Sequence, residues 1–379
     1  MGPVARILVA VLLARGGLPC VVQGQATAPT TQPPEMRPQT PMPPFPYRRI
    51  DIQFRNERDG NTIVGTLTVP QGQGPFPAVV LITGSGAQDR DETVAQHKPF
   101  WVIADHLTRH GIAVLRTDDR GVGGSTGRLS DCTTEDLAGD ALAGLAALKE
   151  RADLIDPSHI GLMGHSEGGA IAAIAATRSP DVAFIVLLAG CGVPGRELLP
   201  AQMRGLLAAS GVKKDSIDAQ IQLQASIMAA VERGASAQEL TDLLRTLVRE
   251  QSGRLGSPPD SAVAPQVTQL QSRWYRAFLR LDPREYLRKV KCPVLALNGE
   301  NDLQVPPDQN LPEIEKALRE GGNPDVTITR MPKLNHLFQT CTTGSPSQYL
   351  WNRESFAPAA LDVITPWIAG HTGSKNPAP

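Results

Sequence analysis

Short apolar runs separated by amphipathic stretches set the rhythm of this chain. Ile50-Asp51-Ile52-Gln53-Phe54 alternates apolar and polar positions, Asp59-Gly60 gives a turn signal, and residues 63–69 resume as a second run, which predicts an opening β-hairpin. Ala78-Val79-Val80-Leu81-Ile82 is continuously apolar, as for a strand covered on both faces. A helix is predicted near 99–109, a strand over 112–115, and a helix over 134–149 with Leu137, Ala141, Leu145 and Leu148 on one face. Thr133-Thr134-Glu135-Asp136 supplies N-cap chemistry at its start. A strand over 160–163, a small-residue helix over 168–177 and a strand over 184–188 continue the alternation. This rhythm implies an α/β fold with a mostly parallel, doubly wound sheet.

Residues 195–284 break the rhythm and read as helices only. Their stripes are Leu198, Leu199, Met203, Leu206; then Ile217, Ile221, Met228, Val231; then Leu240, Leu243, Leu244, Leu247. A last stripe, Val263-Val267-Leu270-Trp274-Phe278-Leu281, keeps spacings of four and three. The alternation then resumes with a strand over 294–297, a helix near 308–320, a strand over 326–328 and a helix near 357–369. Residues 47–194 and 285–379 therefore form the expected core, with 195–284 inserted as a helical cap over one end of the sheet.

The N-terminus has a different texture. Arg6 precedes the apolar run over residues 7–14, and Gly24-Gln25-Ala26 supplies small residues for cleavage, so residues 1–26 read as a secretory signal peptide. The run is far shorter than the roughly 20 residues of a membrane span. Pro19 disfavours a lipid anchor at Cys20. Eight prolines between Pro29 and Pro46 make 27–46 an expected extended linker. The expected location is therefore outside the cytoplasm, in the periplasm or medium.

Charge removes one class of function. The 379 residues carry 37 Lys plus Arg against 38 Asp plus Glu, without the basic excess of a nucleic-acid binder. Cys132, Cys191, Cys292 and Cys341 remain beyond the leader, and an exported chain could pair them in three complete ways. The glycines around Gly121 lack the lysine of a phosphate-binding loop, and Leu107 between His106 and His110 breaks a zinc-protease motif, so no cofactor or metal is expected.

The pattern G-x-S-x-G occurs at Gly164-His165-Ser166-Glu167-Gly168 and at Gly123-Gly124-Ser125-Thr126-Gly127. A nucleophile elbow needs a strand before it and a helix after it, which holds for Ser166 and not for Ser125. The base should follow the nucleophile and the acid. Of the seven histidines, His97, His106, His110 and His159 precede Ser166, His165 adjoins it, and His371 lies in a polar tail, which leaves His336. Glu300 and Asp302 both follow the strand after the cap, and the short turn before Val305-Pro306 favours Asp302. An oxyanion hole takes one amide after the nucleophile, here Glu167, and one after the third strand, here Ser85 in Thr83-Gly84-Ser85-Gly86.

Gly84-Ser85-Gly86 with Asp89-Arg90-Asp91, Asp118-Asp119-Arg120-Gly121, the Ser166 elbow, Leu297-Asn298-Gly299 with Asp302, and Asn335-His336 together resemble the bacterial α/β-hydrolase esterases with a helical cap. The resemblance spans roughly residues 48–370; in that family the third-strand loop often begins His-Gly, where this chain has Thr83. It implies the α/β-hydrolase fold and hydrolysis of a small carboxylic ester through an acyl-enzyme, with a short acyl group. It also implies that Trp274, Tyr275 and Phe278 line the acyl pocket, although Trp274 and Phe278 equally fit the apolar stripe. Two alternatives stand beside it: a serine peptidase of the prolyl-oligopeptidase or aminopeptidase type, and a catalytically silent binding protein of the same fold. Nothing in the pattern sets an oligomeric state.

Overall fold

The computed structural model describes residues 37–252 and 259–373, so the expected signal peptide and residues 27–36 of the linker lie outside the described residues. Strands β1 (Tyr47–Asn56) and β2 (Asn61–Pro70) form the opening hairpin, Tyr47 opposite Pro70 and Asn56 opposite Asn61. Gly60 closes it at φ 75°, a left-handed conformation that a side chain would strain. The body continues through β3 (Phe76–Ile82), α1 (Pro99–Arg109), β4 (Ala113–Thr117), α2 (Thr134–Lys149), β5 (Ile155–His165), α3 (Glu167–Arg178) and β6 (Ile185–Leu188). It ends with β7 (Val294–Gly299), β8 (Val326–Met331) and two further helices.

The eight strands make one sheet in the order β1-β2-β4-β3-β5-β6-β7-β8. β1, β2 and β4 pair antiparallel in sequence, and every pair from β4 to β8 is parallel. Successive side chains of a strand point to opposite faces. Ala78, Val80 and Ile82 accordingly join one buried cluster, with α2 and α3, while Val79 and Leu81 join the other, with α1. The parallel pairing places the carboxyl ends of these strands at one rim, where open α/β sheets bind ligands. α2 begins as its sequence suggests: Thr133 Oγ1 accepts from Asp136 N, and the Asp136 carboxylate accepts from Thr133 N.

Between β6 and β7 the described residues form α4 (Gly195–Ala209), α5 (Lys214–Glu232), α6 (Ala237–Ser252), α7 (Asp260–Leu270), α8 (Arg273–Arg280) and α9 (Pro283–Leu287). Ile227, Val231, Leu240, Leu244, Leu247, Val267, Leu270 and Tyr275 give this insert its own core. The last apolar stripe is not one helix. Ser272 stops α7 and caps α8 by accepting from Tyr275 N at 3.1 Å. Both helices face the same core, so the apolar spacing runs on across the break.

The described part of the expected linker departs from an extended spacer. Residues 37–46 do not form a free spacer: Arg37 is enclosed, donating to the carbonyls of Asn352, Ala95 and Leu350 at 2.6–2.8 Å. Gln39 joins Ser355 and Phe356. Buried carbonyls need donors, and this arm supplies them.

Candidate active site

β5 delivers the chain into Ser166, and α3 starts at the next residue. Ser166 holds φ 54° and ψ −119°, a conformation that costs a non-glycine residue about 1–3 kcal/mol and persists only when its surroundings impose it. They do: Ser166 N donates to Leu188 O at 2.8 Å, fixing the elbow to the neighbouring strand. A Cβ on Gly164 would overlap the Gly168 carbonyl, and one on Gly168 would overlap the Ile82 carbonyl. The glycines of the motif are therefore packing requirements. In the other copy Ser125 is a buried turn residue, donating to Asp118 O at 2.8 Å and accepting from Val64 N at 2.9 Å.

Asp302 follows β7 and His336 follows β8. His336 Nδ1 lies 2.8 Å from Asp302 Oδ2, and both residues are buried. Asp302 Oδ1 accepts from Gln304 N (2.8 Å) and Val305 N (2.9 Å), so both carboxylate oxygens are used and the plane is fixed. Glu300, the competing acid, is exposed and accepts from Lys333 N instead. The His336 loop is shaped by Asn335 Oδ1, which accepts from Leu337 N and Gln339 N. It packs against β7 where a Cβ on Gly299 would overlap Leu334 O. Ser166 and His336 are not hydrogen-bonded to each other; the His336 ring lies 4.7 Å from that of His165, the neighbour of Ser166. Such contacts are often loose without substrate and tighten when it binds.

On the other side of Ser166 the β3 loop supplies Ser85. Its Oγ donates to Glu167 Oε2 at 2.6 Å, joining the two residues expected to offer oxyanion amides. Glu167 also accepts from Thr134 Oγ1 (2.6 Å) and from Trp274 Nε1 of the insert (2.8 Å). Neither the Ser85 nor the Glu167 amide donates to another group among the described residues. Thr83 sends its hydroxyl to Asp119 Oδ1 at 2.8 Å, and Gln88 N reaches Asp119 Oδ2 at 2.9 Å. Asp119 is half-buried under this loop, where it lines the cleft, and desolvation pushes its pKa up to about 8.

That shift has a sign. An aspartate titrates near 3.9 when unfolded, so between about pH 4 and 8 the folded state holds the extra proton and stability declines as pH rises. Asp119→Asn removes this slope. The variant is expected to gain stability over wild type between pH 5 and 8.5, measured by urea unfolding at both. An unchanged difference would mean that Asp119 is already ionised at pH 5.

The three aromatic residues part company. Trp274 lines an open cleft with Thr83, Gly84, Gly86, Asp119 and Glu167. Phe278, stacked on Trp274 at 5.3 Å, lines a narrower one with Ala170, Cys191, Gly195 and Leu281. Tyr275 lines neither: the structure places it in the core of the insert, apart from these two clefts, and its hydroxyl has no partner. Glu167 borders both spaces, and its bond to Trp274 ties the insert to the rim of the first. Among the described residues Cys132, Cys191, Cys292 and Cys341 are free thiols, and burial pushes that of Cys191 up. Sequence reasoning missed Glu92 and the Glu167–Trp274 bond, and gave no role to Asp119 within the noted Asp118-Asp119-Arg120-Gly121; Glu92 directly follows the noted Asp89-Arg90-Asp91.

An eight-stranded, mostly parallel sheet with a serine elbow, a histidine–aspartate pair and an inserted helical layer defines an α/β-hydrolase. The chain belongs to the family described as serine aminopeptidase, S33, which matches residues 99–340, and is a serine hydrolase of the esterase or peptidase type. It is 30% identical over 325 residues to Esterase EstD of Thermotoga maritima, covering 84% of this chain and 69% of that protein. Among solved structures, the α/β hydrolase GrgF of Penicillium sp. sh18 superposes with TM-score 0.54 at 18% identity, covering 86% of this chain and 99% of that one. The acylaminoacyl peptidase of Pyrococcus horikoshii gives TM-score 0.52 at 14% identity, over 88% of this chain and 43% of the other. These two likenesses speak for the fold alone. Among the described residues no group of side chains could hold a metal ion, and no helix is long and apolar enough to cross a membrane.

Proposed function

We propose that this protein hydrolyses small carboxylic esters through an acyl-enzyme on Ser166. The observation that carries the reading is the strained Ser166 at its elbow, flanked by uncommitted Ser85 and Glu167 amides and by the His336–Asp302 pair. Ser166 Oγ attacks the ester carbonyl while His336 Nε2 takes its proton. The two amides receive the oxyanion, each worth roughly 3–4 kcal/mol in such sites. His336 returns the proton to the departing alcohol, and water then repeats the sequence on the acyl-enzyme. Asp302 holds the imidazole and stabilises its charged form. The likeness to Esterase EstD supports ester over amide. An aminopeptidase must also seat a free ammonium group, yet Glu167, the acid next to Ser166, already accepts three hydrogen bonds. Parallel assays on p-nitrophenyl esters and aminoacyl p-nitroanilides test this; faster amide turnover would replace the reading with the peptidase one.

A short acyl chain follows from the resemblance to capped esterases, with Phe278 of the insert as the candidate wall. Each methylene buried gains about 0.8 kcal/mol, roughly fourfold in kcat/KM, until the space is filled. The expected optimum lies between acetyl and about hexanoyl, and Phe278→Ala is expected to move it to longer chains. Measuring kcat/KM against acyl length decides: a wild-type preference for long chains refutes the closed pocket, and an unmoved optimum in Phe278→Ala makes Phe278 a packing residue. Export belongs to the same reading, with mature protein beginning near Thr27, which N-terminal sequencing of envelope or medium material checks.

A further inference from the structure

We propose that Glu92 and His165 are positioning residues that lock the oxyanion loop, the Ser166 elbow and the His336 loop into one frame. The inference rests on the assignment of Ser166 and His336 above. Glu92 Oε1 accepts from Gly84 N at 2.7 Å, one residue before the Ser85 amide, and lies 2.8 Å from His165 Nδ1. His165 Nε2 lies 2.9 Å from the backbone carbonyl of His336. One buried chain of hydrogen bonds thus runs from the β3 loop through the elbow to the loop that carries the base.

The chemistry of the two acceptors fixes the state of the imidazole. With Glu92 ionised, its oxygen and the backbone carbonyl are both satisfied only if both ring nitrogens carry hydrogen, which makes His165 an imidazolium and Glu92 its counter-ion. Burial alone would lower the His165 pKa; the charge and hydrogen bond of Glu92, with help from the His336 carbonyl and Asp302, outweigh it and hold it raised. The pair is close to neutral as a unit, so it need not oppose the charge that His336 gains in the reaction. Packing gives the same message. A Cβ on Gly84 would stand 3.2 Å from both Glu92 Oε1 and Ser166 Cβ, so the loop, the carboxylate and the elbow are already in contact. Glu92 itself holds φ 50°, a left-handed conformation that a non-glycine residue adopts only where its surroundings demand it. Neither side chain reaches the reacting atoms; each acts through the backbone it holds.

The test compares Glu92→Gln, His165→Leu and His165→Gln with wild type and with Ser166→Ala. It measures thermal stability, the rate of fluorophosphonate capture, which requires no knowledge of the substrate, and kcat and KM on p-nitrophenyl acetate. Glu92→Gln keeps the acceptor for Gly84 N but leaves His165 neutral, with one hydrogen for two acceptors. Folded Glu92→Gln and His165→Leu are expected to lose on the order of 10- to 100-fold in capture rate and kcat, with KM within about threefold of wild type. His165→Gln, whose amide can still donate to the His336 carbonyl, is expected to recover much of the His165→Leu loss; a residue that merely filled space would show no such rescue. Wild-type capture by folded Glu92→Gln and His165→Leu, or a loss carried by KM alone, overturns the frame. Turnover by Ser166→Ala would instead remove the site assignment, so the two failures are distinguishable.

Discussion

Ser166→Ala is expected to lower kcat for ester hydrolysis by at least on the order of 10⁴-fold, because no acyl-enzyme can form without Oγ. The side chain makes no hydrogen bond that the fold depends on; the elbow is held by Ser166 N to Leu188 O at 2.8 Å and by the glycines on either side. Thermal stability should therefore stay close to wild type. A second substitution separates chemistry from strain. At φ 54° and ψ −119° any residue with a Cβ is strained, and alanine keeps that Cβ whereas glycine does not. Ser166→Gly is expected to be equally inactive and at least as stable as Ser166→Ala, since relief of about 1–3 kcal/mol of strain offsets the roughly 1 kcal/mol that glycine loses through its freer unfolded chain. Calorimetry of the two variants reads the difference directly. A glycine variant clearly less stable than the alanine one would mean that the elbow stores no strain, and residual turnover in both would move the nucleophile elsewhere.

The parts of this molecule that the sequence announces are those written in local pattern. Thr133 and Asp136 sit three residues apart, and their mutual capping is complete within one turn, so the start of α2 could be read directly. The strand Ala78-Val79-Val80-Leu81-Ile82 is apolar at every position because both faces are covered, and that too is a local signal. What escaped depends on partners far along the chain. Arg37 lies in a proline-rich stretch whose composition indicates a spacer, yet its guanidinium ends on carbonyls more than 300 residues away. Glu92 belongs to no helix or strand period; its partners are Gly84 and His165, and only the folded sheet brings β3 and β5 side by side. Trp274 lies on the apolar stripe and Tyr275 directly after it, and the sequence cannot say which ring faces the cleft and which the core of the insert. The indole N–H of Trp274 decides it, because a buried donor needs an acceptor and Glu167 provides one.

Asp302→Asn is expected to cost about 10⁴-fold in kcat, the loss seen when comparable triads exchange this carboxylate for an amide, while leaving the fold in place. The geometry explains why so small a change acts so strongly. Asp302 Oδ1 accepts from the amides of Gln304 and Val305, and those two donors also require an oxygen in the variant. The asparagine carbonyl must therefore face them, which turns its NH₂ group toward His336 Nδ1, 2.8 Å away in the wild type. A donor opposite Nδ1 forces the hydrogen of the neutral imidazole onto Nε2. That nitrogen then has no lone pair with which to take the Ser166 proton, and the base is present in the wrong tautomer. Because both backbone contacts survive, the melting temperature should change little, which separates this loss from unfolding. Glu300→Gln is the control: exposed and bound to Lys333 N, it is expected to stay within about twofold of wild type. Measured side by side on p-nitrophenyl acetate and by fluorophosphonate capture, a drop of less than tenfold in Asp302→Asn would remove Asp302 from the site, and a large drop in Glu300→Gln would install Glu300 in its place.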